Sequence, residues 1–206
     1  ISADERGKSV HVGDLDAQTR NIFKFIGNVL SDAGGSFDDV VHVKVCFKHD
    51  NHLPTGQSYA DRIMEVATEF VTSKNAVLTA FGVDLLYPGL DLEIDAMAII
   101  DPERKRLAKS LAGGGYQPDD YSDGVSATGE IFVGGQVALG DNGAVLAPED
   151  ASGQARIVFE RLASVHAADG ATLDDVAKLN LFFVAEDGET AETFAALSAA
   201  WTNIAP

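Results

Sequence analysis

Apolar residues recur along the chain with two alternating periods. Between Asp14 and Asp32 they fall at Ile22, Phe23, Ile26, Val29 and Leu30, the 3.6-residue spacing of an amphipathic helix. Asp14 or Asp16 supplies the N-cap, and Gly34-Gly35 supplies a stop able to take the left-handed conformation. From Val40 to Phe47 the period becomes two: Val41, Val43, Val45 and Phe47 alternate with His42, Lys44 and Cys46, which predicts a half-buried strand. Helical spacing returns over Tyr59–Val71, with Ile63, Val66, Ala67 and Phe70 inward. Two strands follow, Ala76–Val83 and Leu92–Ile100, about a Tyr87-Pro88-Gly89 loop. After a charged and then glycine-rich stretch, the pattern resumes with strands near Gly124–Ala127 and Ile131–Leu139 around Thr128-Gly129. A helix from about Pro148 to Ala168, a strand Ala177–Val184 and a helix Thr190–Trp201 complete it.

The second series repeats the first at an offset of 136 residues (154 − 18). Gln18-Thr19-Arg20 returns as Gln154-Ala155-Arg156, Phe23 as Phe159, Gly34 as Gly170, Asp38-Asp39-Val40 as Asp174-Asp175-Val176 and Phe47 as Phe183. A period this long is domain-sized, far beyond a solenoid repeat. The division expected is therefore a first domain over 1–102, a linker over 103–118 containing Gly113-Gly114-Gly115, and a second domain over 119–206. A unit assembled from both copies runs β-β-α-β-α-β-β, which predicts an α+β fold: a mixed sheet with two helices on one face. The other face, carrying sequences such as Leu78-Thr79-Ala80-Phe81, is expected to be covered by association of units. Copy 1 has no counterpart of Tyr121–Gln136 and copy 2 none of Ala76–Ile100, so each sheet is expected to be completed by further polypeptide.

Charge narrows the partners. Fifteen Lys and Arg against 32 Asp and Glu give a net charge of −17, which disfavours a nucleic-acid backbone and suits a neutral or cationic small ligand. Cys46 is the single cysteine, so an intrachain disulfide and a multi-cysteine zinc site are excluded. No apolar run approaches the roughly 18 residues of a membrane span and no basic-then-apolar leader opens the chain, so a cytoplasmic protein is expected, without a membrane partner. The loop His49-Asp50-Asn51-His52 holds two imidazoles but no third predicted ligand, and is read as solvated; neither metal nor cofactor is expected.

The order and spacing of several segments resemble the Rid family (YjgF/YER057c/UK114), proteins of chorismate-mutase-like fold. Gly134-Gly135-Gln136-Val137 is similar to the family's Ser-Gly-Gln-Ile/Val strand end. The Gln-x-Arg helix starts, the Asp-Asp-Val strand entries and Leu92-Glu93-Ile94-Asp95-Ala96-Met97-Ala98 match in sequence order. The resemblance implies homotrimers with small-molecule clefts between subunits, and hydrolysis of enamines and imines to carbonyls and ammonia. It implies that Glu93 positions the attacking water and that Tyr121 binds or stacks on the substrate. Leu78, within Ala76-Val77-Leu78-Thr79, stands where the family's deaminases carry the arginine that grips a carboxylate, and Gly134 replaces the family's serine. Leu78, Gly134, Gly135 and Tyr121 are accordingly the candidate substrate-binding residues, and the copy 1 substrate is expected not to be a simple 2-imino acid.

The residues also carry readings of their own. Glu93 and Asp95 lie two apart on a strand and share a face, so their pKa values can split into acid and base. Cys46 shares a face with His42 and Lys44 and is a candidate nucleophile, although His42, four residues away along a strand, is too distant to touch it. The alternatives to a hydrolase acting on a C–N bond are a non-catalytic binding or scaffold protein and a hydrolase built on Cys46.

Overall fold

The computed structural model describes residues 1–49, 53–71, 76–85, 87–100, 103–107, 121–185 and 188–205. The fold is α+β, and the chain forms two compact units. The first gathers Ile1–Arg106 with Asp119–Gly135, the second Leu107–Pro118 with Gln136–Pro206. The Gly113–Gly115 stretch and Asp50–His52 lie outside the described residues.

In the first unit α1 (Leu15–Asp32) starts where Asp14 accepts a hydrogen bond from the Ala17 N–H, satisfying one of the helix's orphan donors. A 3₁₀ turn at Phe37–Asp39, closed by a reciprocal Ser36/Asp39 capping box, feeds β1 (Val40–Lys48). α2 (Tyr59–Ala67) begins at the Ser58 cap and stops short of the expected Val71. β2 (Val77–Val83) and β3 (Leu92–Ala98) flank β1, giving the order β2-β1-β3, parallel on one side and antiparallel on the other.

Both helices cover one sheet face. Ile22, Phe23 and Leu30 of α1 and Ile63 and Ala67 of α2 pack with Val43, Val45, Leu78, Leu92 and Ile94 in one buried cluster. Phe23 stacks on Phe70 with ring centroids 5.0 Å apart. Burying such side chains contributes about 1.5–3 kcal/mol each.

The segment read from sequence as the front of a second domain is part of this unit. β4 (Arg104–Leu107), β5 (Gly124–Ala127) and β6 (Glu130–Val133) form a second three-stranded sheet of order β4-β5-β6. The flanks of its β5–β6 hairpin bind the outer edge of β2. The Ser122 N–H donates to the Ala76 carbonyl at 2.9 Å, and the Gly135 N–H to the Leu78 carbonyl at 2.8 Å. β2 has β1 on one side only, so its outer carbonyls are free to accept. β6 ends at Val133, well before the expected Leu139, because Gly134 and Gly135 turn onto that edge. β4 was read as linker; its Arg104 guanidinium is held by the Asp39 carboxylate and the Ile99 carbonyl, both at 2.8 Å.

The second unit is built on α3 (Ala151–Ala167) and α4 (Thr190–Ile204). Ala155, Phe159, Leu197 and Ala200 form its core, with Phe159 edge-on to Trp201 at 5.1 Å. Local details of the first unit recur here at the same offset. The Ala3–Ser9 bridge returns as Leu139–Val145, the Asp14 cap as Asp150, and the Ser36/Asp39 capping box as Thr172/Asp175. His11 and Ala147 both adopt positive φ, 59° and 49°. One expected element differs: Ala177–Val184 keeps its alternation, with Leu181 and Phe183 against the helices, but joins no ladder among the described residues. No described helix is long and apolar enough to cross a membrane.

Candidate functional site on the sheet face opposite the helices

Strand alternation sends Val43, Val45, Leu92 and Ile94 toward the helices and their neighbours the other way. On that second face β1 presents His42, Lys44 and Cys46 between β2 and β3. The register sets Lys44 beside Thr79 and Asp95, and Cys46 beside Phe81 and Glu93. A bulge between Val40 and His42 shifts the alternation, so Val41 leaves the helix-side cluster. It packs instead with Val77, Val125 and Ala127, so β5 roofs one end of this face. The polar end stays open: Glu93 and Asp95 are exposed and Met97 is 50% exposed.

Polar groups on the face are organised in pairs. Lys44 forms an ion pair with Asp95, and this hydrogen bond raises the ammonium pKa. His42 Nε2 lies 2.9 Å from Thr79 Oγ1. Burial pushes the imidazole pKa down and the Lys44 charge adds to this, with Asp95 opposing. The ring is thus held neutral. Burial also raises the Cys46 pKa, with Lys44 pulling against it and the two carboxylates adding to it. The thiol is therefore held protonated, and His42 is engaged with Thr79 rather than with sulfur.

The candidate residues fall into two groups. Glu93 and Cys46 are neighbours on the open face. Leu78, Tyr121, Gly134 and Gly135 come together at the outer edge of β2, with Leu78 (6% exposed) and Tyr121 (1%) both inside the helix-side cluster. Leu78 and Glu93 therefore lie on opposite faces, with β1 between their strands. Gly134 runs so close to β2 that a Cβ there would sit 2.8 Å from the Leu78 carbonyl oxygen. Sequence reading missed the Lys44–Asp95 and His42–Thr79 pairs; both depend on strand register, for which a single sequence carries no direct signal. Among the described residues no group of three or more His, Cys, Asp or Glu is arranged to hold a metal ion.

A buried amide network also escaped notice, although its residue was a marker of the repeat. Gln18, fully buried, donates from Nε2 to the His11 carbonyl (3.1 Å), the Gly89 carbonyl (3.0 Å) and Asp91 Oδ2 (3.1 Å). Its Oε1 accepts the Asp91 N–H at 3.0 Å. This clamps the turn that leads into β3. The signal was available in the recurrence of Gln18 as Gln154.

The profile of the family described as endoribonuclease L-PSP matches residues 1–100 and again 116–206. The 3-aminoacrylate deaminase RutC of Acinetobacter baylyi is 32% identical over 98 residues, which are 48% of this chain and 72% of that protein. The Rid-family protein YyfB of Yersinia pestis is 28% identical over 48% of this chain and 73% of its own, with a TM-score of 0.41. The crystal structure of a chorismatase superposes over 92% of this chain and 62% of its own, at 11% identity and a TM-score of 0.63. That likeness concerns the fold.

Proposed function

This chain belongs to the endoribonuclease L-PSP, or Rid, family, and on that premise we propose that it hydrolyses a C–N bond of a small enamine or imine. The observation that carries the proposal is Glu93, which stands at the family's water-positioning place and is exposed on the open sheet face. The printed activity of the RutC relative, deamination of 3-aminoacrylate, supports the same reaction class. Glu93 takes a proton from water as its oxygen attacks the imine carbon, then returns it to the departing nitrogen; the C–N bond breaks and ammonia leaves with a carbonyl product. The Lys44–Asp95 pair next to it supplies fixed charge that orients the substrate.

The substrate differs from a 2-imino acid. With Leu78 in place of the family arginine and buried in the core, a carboxylate lacks its charge-assisted clamp, worth about 1.5–3 kcal/mol. A net charge of −17 also selects against anions, RNA included. Association of chains through the open face, in threes as in the family, completes the proposal. A monomer in sedimentation velocity at micromolar concentration would remove that part.

A second reading, a binding or scaffold role without turnover, is favoured by the burial of Leu78 and Tyr121 at the positions where the family binds substrate. Ammonia release decides between them, using freshly generated 2-aminoacrylate, 3-aminoacrylate and a neutral enamine as substrates. The hydrolase reading expects turnover that Glu93→Gln lowers at least 100-fold and Cys46→Ser leaves intact. Equal rates for wild type and Glu93→Gln would refute the role of Glu93. A protein that binds the neutral enamine without releasing ammonia is the scaffold.

A further inference from the structure

The second unit repeats the first closely enough to show what its Ala177–Val184 segment lacks. At the 136-residue offset this segment is the counterpart of β1, and Leu179, Leu181 and Phe183 are those of Val43, Val45 and Phe47. In the first unit the strand is sandwiched between β2 and β3. In the second, the capping box that launches the strand is present and Leu181 and Phe183 lie on the helices, but no ladder forms among the described residues. The exposures register the difference. Val43 is fully buried and Leu179 is 40% exposed; Phe182 and Val184 are 54% and 93% exposed. An extended segment with apolar side chains and unpaired backbone groups is a template for another strand.

Gln154 specifies which strand. Like Gln18, it donates from Nε2 to the carbonyl of the positive-φ residue seven positions before it, Ala147, at 3.0 Å. Gln18 uses its remaining capacity on the backbone and carboxylate of the turn entering β3. Gln154 makes no second side-chain hydrogen bond among the described residues. The half of the amide that in the first unit holds Gly89 and Asp91 is therefore available in the second.

We propose that the edge of Ala177–Val184 binds an extended polypeptide strand running antiparallel to it, led by a Gly-x-Asp turn that docks on Gln154. The register of β3 against β1 gives the rest of the pattern. Leu92, Ile94 and Ala96 sit opposite Phe47, Val45 and Val43, so the ligand carries apolar residues one, three and five positions after its Asp, facing Phe183, Leu181 and Leu179. The occupant is a partner strand of sequence Gly-x-Asp-Φ-x-Φ-x-small, where Φ is a large aliphatic residue.

The test uses the full chain and a synthetic ten-residue peptide of the sequence Gly89–Ala98, read out by amide hydrogen exchange in moderate salt. Without peptide, amides of residues 177–184 exchange at least 100-fold faster than those of β1. Saturating peptide slows them at least 10-fold and leaves β1 unchanged. Gln154→Ala in the protein, or Ala in place of the peptide's Asp, weakens binding about 10-fold, and the two together weaken it no further. Gln154→Glu, which keeps the size but cannot donate, separates loss of the clamp from loss of packing and also weakens binding. Protection of residues 177–184 without peptide, whether within one chain or through a dimer seen by sedimentation equilibrium, would overturn the proposal. So would an absence of protection at millimolar peptide.

Discussion

Substituting the two repeat-related glutamines turns one residue type into a measurement of two environments. Gln18 makes four hydrogen bonds, one of them to the carboxylate of Asp91, itself only 9% exposed. Gln18→Ala removes all four. The His11 and Gly89 carbonyls recover water in part, but the Asp91 N–H and carboxylate remain in a buried site without this partner. At about 1 kcal/mol for each neutral bond and about 1.5–3 kcal/mol for the charged one, the expected loss is about 3–5 kcal/mol. Gln154→Ala removes one neutral hydrogen bond from a half-buried side chain, about 0.5–1.5 kcal/mol. Hydrogen exchange assigns each loss to its own unit, and urea unfolding followed by Trp201, the sole tryptophan, reports on the second. Amides of β1 and β3 should exchange roughly 100-fold faster or more in Gln18→Ala, and those of α3 and α4 no more than roughly 10-fold faster in Gln154→Ala. Equal effects in the two units, or a loss below about 1 kcal/mol for Gln18→Ala, would refute the assignment of Gln18 as the clamp on the turn into β3.

Gly134→Ala should destabilise the first unit by about 1–3 kcal/mol, because the new Cβ meets the Leu78 carbonyl oxygen at 2.8 Å where the Gly135 hydrogen bond prevents retreat. Calorimetry reads this as a lowered Tm, and Gly134→Ser, which restores the family's hydroxyl, should be no more stable than Gly134→Ala. The lowered pKa of His42 means that the unfolded chain binds more protons between the folded value and the usual 6.5. The stability it contributes is thus present above pH 6.5 and lost as pH falls toward the folded value. His42→Gln should flatten the urea midpoint between pH 7.5 and 5.5. With its pKa raised by burial, Cys46 should react with iodoacetamide at pH 7.5 more slowly than a free thiol, and an accelerated reaction would revive the nucleophile reading.

Much of the first unit was legible because its side chains answer to a face. The Ile22–Leu30 stripe gave α1, the alternation of Val41–Phe47 gave β1, and both follow from one buried side. β4 was not legible, since Arg104-Lys105-Arg106-Leu107 has no alternation and is held as a strand by β5 and by the ligands of Arg104. The site divides in the same way. Glu93 was found by its place in a motif and is exposed on the open face. Its association with Lys44–Asp95, and the separation of Leu78 on the opposite face, come from register and from which side of β1 each strand occupies.

Ala177–Val184 marks the boundary of that legibility, because its alternation correctly places Leu181 and Phe183 on the helices while no ladder forms around it. Periodicity reports which side chains are buried and says nothing of what lies along the two edges. A strand is a property of at least two segments, and its hydrogen bonds exist only where a neighbour supplies them. The same pattern that forms a central strand between β2 and β3 is thus an acceptor edge in the second unit. Its half-used Gln154 retains the specification of the missing neighbour: a turn offering a backbone N–H, a carbonyl and a carboxylate within reach of one amide.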